Sequence, residues 1–223
     1  MKSEDRAVLT VSSFVAGLLA VDEDEAERLT REIQSNRVFH DSMEAKRLQP
    51  AGQRVPRASV NNEVGTILYA ICRKLQPDSV VETGVASGVS SSYFLCALEE
   101  NGHGRLHSID YSTWEPETGW IVPDSLRYRW ELTAGRSSEK LPSLLKRLGT
   151  IQVFFHDSEH TYKNMLWEYQ GAWETLAPGG VLLSHNIDFT DAFPDFSKRV
   201  GARSWVFQNL GGIAKPLLSA NDS

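Results

Sequence analysis

From Asn61 onward the chain alternates between two hydrophobic rhythms. Asn61 to Leu75 carries Val64, Ile67, Leu68, Ile71 and Leu75 at helical spacing, which predicts an amphipathic helix. Short apolar, β-branched runs then recur at Ser79–Glu82, Arg105–Asp110, Tyr128–Thr133, Ile151–His156 and Val181–Asn186. Helical patterns at Ser90–Glu99, Ser138–Leu148 and Tyr162–Leu176 fall between most of them. Strands separated by helices predict a parallel sheet covered on both faces. Pro178-Gly179-Gly180 marks a turn before the fifth strand. A last helix, Asp191–Val200, precedes Trp205–Gln208, then Gly211-Gly212, then Ile213–Lys215, which predicts an antiparallel hairpin on the sheet edge. The expected fold is α/β, with a seven-stranded, mostly parallel sheet.

Residues 1–57 have a different character and are expected to form an N-terminal helical extension, a cap or an oligomerisation element, leaving 58–223 as the main domain. An acidic cluster (Asp22, Glu23, Asp24, Glu25, Glu27) opens a helical pattern running toward Gln49, where carboxylates suit the helix dipole. Pro50, Gly52 and Pro56 then read as a linker. Val8–Val21 is apolar but too short to cross a bilayer, and Glu4 and Asp5 offset Lys2 and Arg6, which is wrong for a secretory signal. It predicts a packed helix or strand, at a homodimer contact in the simplest assembly. The 223 residues carry a net charge of −6 and no basic run, which argues against a nucleic-acid partner. Cys72 and Cys96 sit in apolar helical patterns and read as buried thiols of a cytoplasmic protein.

The chemistry begins at Val80–Ser92, VVETGVASGVSSS, followed about twenty residues later by LHSID ending at Asp110. A strand, a glycine turn and a small-residue helix start describe a nucleotide-binding loop, in which helix N–H groups face polar ligand atoms. Asp110, at the end of the next strand, is placed to hold a ribose diol. The spacing Glu82-x-Gly84-x-x-x-Gly88 is not the dinucleotide pattern, and a carboxylate before the glycines would repel a pyrophosphate. A cationic, phosphate-free nucleoside, S-adenosylmethionine, fits better.

With these residues in hand, the chain resembles the class I S-adenosylmethionine-dependent methyltransferases. It is most similar to bacterial small-molecule O-methyltransferases of the macrolide-sugar type and to their catechol O-methyltransferase-like, metal-dependent relatives. The resemblance spans roughly residues 60 to 216 and rests on VETGVASG, LHSID, ELTAGRSSEKLP, FFHDSEHTY and APGGVLLSHNID with its downstream DAF. It implies a Rossmann-like sandwich. It further implies that Glu82, Gly84 and Gly88 line the methionine end of the cofactor, that Asp110 takes the ribose hydroxyls, and that Tyr111 lies against the adenine. Gly135 to Ser137 would approach the adenine edge.

Methyl transfer from a sulfonium is an in-line displacement, so the protein must position the acceptor and remove its proton. Candidates cluster in HDSEHTY (His156, Asp157, Glu159, His160) and SHNID (His185, Asn186, Asp188), at the ends of the fourth and fifth strands. His156 ends a strand, so it shares no helix face with His160 and a zinc-helix reading fails. His160 is the preferred general base, because an imidazole titrates near neutrality and D-x-x-H resembles the sugar O-methyltransferases. Asp157 is expected beside it as a substrate anchor, cofactor contact or metal ligand. Asp157, Asn186 and Asp188 form a candidate Mg2+ set of three oxygens. Against it, Ile187 separates a pair that metal-dependent relatives keep adjacent, and Asn186 and Asp188 could instead cap the following helix. Trp114 and Trp120, in the long loop Tyr111–Pro123, are candidates for an aromatic wall over a small-molecule acceptor.

The expected activity is O-methylation of a small molecule, a sugar or another natural product, with Mg2+ assistance left open. A metal-independent N-, C- or O-methyltransferase and a catalytically silent S-adenosylmethionine-binding protein stand as the alternatives.

Overall fold

The structure is a computed structural model and describes residues 9–48, 60–111 and 118–217. Its centre is a seven-stranded sheet built from β1 (Ser79–Thr83), β2 (Arg105–Asp110), β3 (Trp130–Ala134), β4 (Ile151–His156), β5 (Leu176–Ser184), β6 (Ser204–Phe207) and β7 (Leu210–Ala214). The order is β3-β2-β1-β4-β5-β7-β6, with the first five strands parallel and β7 antiparallel to both neighbours. The strand order therefore reverses between β1 and β4. In open α/β sheets a crevice opens at that point, beyond the carboxyl ends of the strands.

Strict alternation along the strands divides the core in two. Val80, Leu106, Val153, Phe155, Val181 and Leu183 face one helical layer, while Val81, Ile109, Phe154, Leu182 and Ile213 face the other. The first layer holds α1 (Val11–Leu19), α2 (Glu23–Gln34), α3 (Arg37–Arg47), α4 (Asn62–Leu75) and α5 (Val89–Asn101). The second holds α6 (Ser137–Leu148), α7 (Tyr162–Thr175) and α8 (Ala192–Arg199). α4 is buried through Val64–Cys72 because α1, α2 and α5 pack around it. Phe14, Val15, Leu29 and Ile33 of those covering helices join the same apolar cluster as Val64 and Leu68.

Capping explains the helix starts. Thr10, Asp22, Asn36, Asn61 and Thr161 each accept a main-chain N–H of the first turn. Two expectations are corrected by such local chemistry. The long pattern toward Gln49 is two helices, because Asn36 caps α3 and ends the run from α2. The chain before β3 is a 3-10 turn over Asp124–Arg129, so the strand starts at Trp130 and not at Tyr128.

Three corrections concern the C-terminal half of the sheet. Pro178-Gly179-Gly180 lies inside β5, which starts at Leu176 and shifts register against β4 between Ile151 and Val153. β5 stops at Ser184, and Asn186 has φ 54°, a conformation outside any strand. Gly211 and Gly212 are in β7, and the hairpin turns at Gln208-Asn209. A Cβ on Gly211 would meet the Phe193 ring at 2.5 Å, and one on Gly212 would meet Leu18 at 2.9 Å. Close packing, not the turn, is what needs those two glycines. Among the described residues no helix is long and apolar enough to cross a membrane.

Candidate active site

A cavity of about 420 Å³ opens at the carboxyl ends of β1, β2 and β4, within the size of small-molecule sites. Its wall carries Gly84, Asp110, Tyr111, Gly135, Ser137, Asp157, His160 and Asn186, all singled out from the sequence. Arg136, Ser158 and Asn164 complete the polar lining.

One half of the wall is built from the ends of β1 and β2. Asp110 Oδ2 accepts the backbone N–H groups of Val85 (2.6 Å) and Ala86 (2.9 Å), which shapes the turn after β1. Its second oxygen accepts no hydrogen bond among the described residues. The Arg136 guanidinium lies 4.5 Å from the centre of the Tyr111 ring, so the two stack on one another in the cavity wall.

Glu82 stands elsewhere. It is fully buried behind the wall, on the α5 face of the sheet, and accepts Ser90 (2.5 Å), Ser91 (2.6 Å) and Ser108 (2.6 Å) hydroxyls. Trp130 Nε1 in turn donates to Ser108 Oγ at 2.9 Å. Burial pushes the Glu82 carboxyl up to about 7 against the pull of the three serine donors. Glu82 thus ties β1, β2 and the first turn of α5 together, and it is not on the cavity wall where a contact with the methionine end of a cofactor was expected. Gly88 is likewise off the wall: with φ 93° it opens α5, and a Cβ there would press on Gly119 Cα at 2.8 Å. Trp120 packs against the core instead of the cavity, and Trp114 lies outside the described residues.

The other half of the wall comes from the segments after β4 and β5. His185 Nδ1 lies 3.0 Å from Asp157 Oδ1, and His160 Nε2 lies 3.6 Å from the same oxygen. Asn209 Nδ2 donates to Asn186 Oδ1 (2.7 Å), leaving Asn186 Nδ2 to donate to His160 Nε2 (3.0 Å). The neutral ring of His160 therefore carries its hydrogen on Nδ1. Burial depresses the His160 pKa below 6.5, with Asp157 opposing, so the ring is uncharged and basic at neutral pH. Phe189, 65 % exposed, tilts over the same ring with centroids 5.3 Å apart. His156 lies beneath it at 5.4 Å.

These residues do not make a Mg2+ site. The Asn186 oxygen is taken by Asn209, one Asp157 oxygen is shared by two imidazoles, and Asp188 is exposed and off the cavity wall. A hard cation needs several free oxygens in one octahedral shell. Among the described residues no three His, Cys, Asp or Glu side chains are grouped to hold a metal ion.

Sequence reasoning missed Glu168 and Asn209, and included Arg136 only as part of the run Gly135 to Ser137. Glu168 had a legible signal: it shares the buried face of α7 with Met165, Tyr169 and Ala172, where an unpartnered carboxylate would be too costly. Asn209 had none, since only the β7 pairing brings it beside Asn186.

Residues 81–187 match the family described as a methyltransferase domain. No curated protein matches the chain. Among solved structures, the S-adenosylhomocysteine-bound methyltransferase PaMTH1 of Podospora anserina is similar at TM-score 0.60 and 15% identity, covering 89% of this chain and 97% of that one. The O-methyltransferase TomG of Streptomyces achromogenes, solved with S-adenosylmethionine and involved in tomaymycin synthesis, gives 0.61 and 16%, covering 81% and 91%. An O-methyltransferase of Bacillus cereus, in complex with S-adenosylhomocysteine, gives 0.61 and 16%, covering 90% and 100%. At these identities the structures speak to the fold. With the strand order, they show the fold of the class I methyltransferases, and residues 81–187 carry the methyltransferase-domain match within it.

Proposed function

We infer that this protein transfers the methyl group of S-adenosylmethionine to a hydroxyl of a small molecule, with His160 as general base. The observation that carries this reading is the neutral, partly buried His160 on the wall of the same cavity as Asp110, with Asp157 3.6 Å from its unprotonated Nε2. The names of the Streptomyces and Bacillus structures, both O-methyltransferases, support oxygen as the acceptor atom.

The cofactor would lie along the wall from Tyr111 and Arg136, past Asp110, to the turn at Gly84. The acceptor would enter beneath Phe189. As its hydroxyl oxygen forms a bond to the methyl carbon, the carbon–sulfur bond breaks and its electron pair stays on sulfur. The acceptor hydroxyl would displace the Asn186 amide from His160 Nε2, its proton passes to that nitrogen, and the imidazolium then donates to Asp157. Products are the methyl ether and S-adenosylhomocysteine. The free, buried thiols of Cys72 and Cys96 fit a cytoplasmic setting.

Titration calorimetry of the EDTA-stripped protein tests this directly. S-adenosylmethionine should bind at micromolar level without added metal, and Mg2+ should change neither heat nor affinity. No binding would end the reading, and a Mg2+-dependent affinity would reopen the metal route.

Asp110→Ala should weaken that binding by ~1.5–3 kcal/mol, the scale of a lost charged hydrogen bond. It also leaves the Val85 and Ala86 N–H groups without their acceptor. An affinity equal to wild type would remove Asp110 from the cofactor site.

A further inference from the structure

Behind the cavity, on the α7 side of the sheet, stands a carboxylate that takes no part in the transfer itself. Glu168 is fully buried. Its Oε2 accepts Thr83 Oγ1 at 2.5 Å and lies 2.7 Å from His156 Nδ1. Its Oε1 accepts Ser158 Oγ at 2.7 Å and Asn164 Nδ2 at 3.1 Å. Burying a lone carboxylate costs several kcal/mol, and four donors are what make this one tolerable. Burial alone would raise its pKa, but His156 and the hydroxyl donors hold it below the usual carboxylate range.

The donors are not scattered. Thr83 and His156 end β1 and β4 and are paired in register. Ser158 sits between Asp157 and His160 in sequence, and Asn164 donates back to the Glu159 carbonyl at 3.0 Å. The whole turn from β4 into α7 is thus fastened to one side chain.

His160 itself has few anchors. Its Nδ1 is buried and has no partner among the described residues. Asn186 holds Nε2, and the rest of its placement comes from packing between Phe189 and His156. His156, the floor under this ring, donates its own Nδ1–H to Glu168 and packs edge-on against Tyr169 at 5.5 Å.

We propose that Glu168 is the positioning residue of this site, acting through His156 and Ser158 to fix the ring orientation of His160 against Asn186, the contact on which its tautomer depends. The proposal rests on His160 being the base, but its test needs neither an acceptor nor turnover.

The test uses the full chain labelled with 15N-histidine, with ring nitrogen shifts read in wild type and Glu168→Gln and His160 assigned by its loss in His160→Gln. Wild type should show His160 in one neutral tautomer, with hydrogen on Nδ1. In Glu168→Gln the two nitrogens should move toward each other as both tautomers become populated. S-adenosylhomocysteine affinity should stay within about threefold, less than ~1 kcal/mol. A purely structural role predicts a lower melting temperature with the His160 shifts of wild type, and that result overturns the proposal. If Glu168→Gln does not fold, Ser158→Ala removes a single donor and should give a partial version of the same averaging. Unchanged shifts there would overturn the proposal equally. Failure of wild type to bind S-adenosylhomocysteine would instead strike the functional reading and leave the positioning result standing.

Discussion

His160→Ala will lower turnover by ~10²–10⁴-fold, the usual contribution of a positioned general base, while S-adenosylmethionine affinity stays near that of wild type. The separation follows from the geometry, since His160 meets the cavity from the β4–α7 turn while Asp110 and the Gly84 turn build the opposite wall. A drop below tenfold would reduce His160 to a packing residue. The pH profile supplies an independent check. The transfer needs the neutral imidazole, so activity should be lost as pH falls through the His160 pKa. Burial places that value below 6.5, so the acidic limb should lie below 6.5 and disappear in the variant. Stability carries the same sign: the unfolded chain binds more protons than the fold, so the His160 contribution is present above about 6.5 and fades at lower pH. An acidic limb above 6.5 would contradict the burial argument.

Gly84→Ala will damage fold and site together, by ~2–5 kcal/mol of unfolding free energy and loss of cofactor binding. Gly84 has φ 85°, where a side chain costs ~1–2 kcal/mol. Its Cβ would stand 2.0 Å from the Asp157 carbonyl oxygen, a backbone atom that cannot swing away. The Asp157 N–H is bonded to the Thr83 carbonyl at 2.8 Å, so relieving the clash means parting the ends of β1 and β4. Overpacking of this kind adds ~1–3 kcal/mol or more. Urea unfolding measures the first part and calorimetry the second. A variant within ~0.5 kcal/mol of wild type, as for an ordinary surface change, would show that the turn can relax.

Much of the site is legible because the chemistry sits where periodicity breaks. Gly84, Asp110, Gly135 and Ser137 follow strands read from simple alternation, and the structure gathers them on one cavity wall. Asp157 and His160 follow from the apolar run Ile151–Phe155, which fixes where β4 must end. Glu82 shows the limit. Its position before the glycines was plain, but a strand residue can face either side of the sheet. Here it points to α5, where three serines satisfy it. The Mg2+ set fails for a similar reason. Residue spacing cannot foresee that Asn209, arriving on β7, would take the oxygen of Asn186.

The amino-acid sequence by itself determined most of the elements, their parallel arrangement and the turns that line the cavity, since each depends on neighbours a few residues apart. Only the tertiary structure decided which polar groups are spent on one another. Glu168 with His156 and Thr83, Asp157 with His185, and Asn186 with Asn209 are pairs between distant segments. Buried polar groups must find partners wherever the chain brings them, and those partnerships separate the groups that support the site from those left free to react.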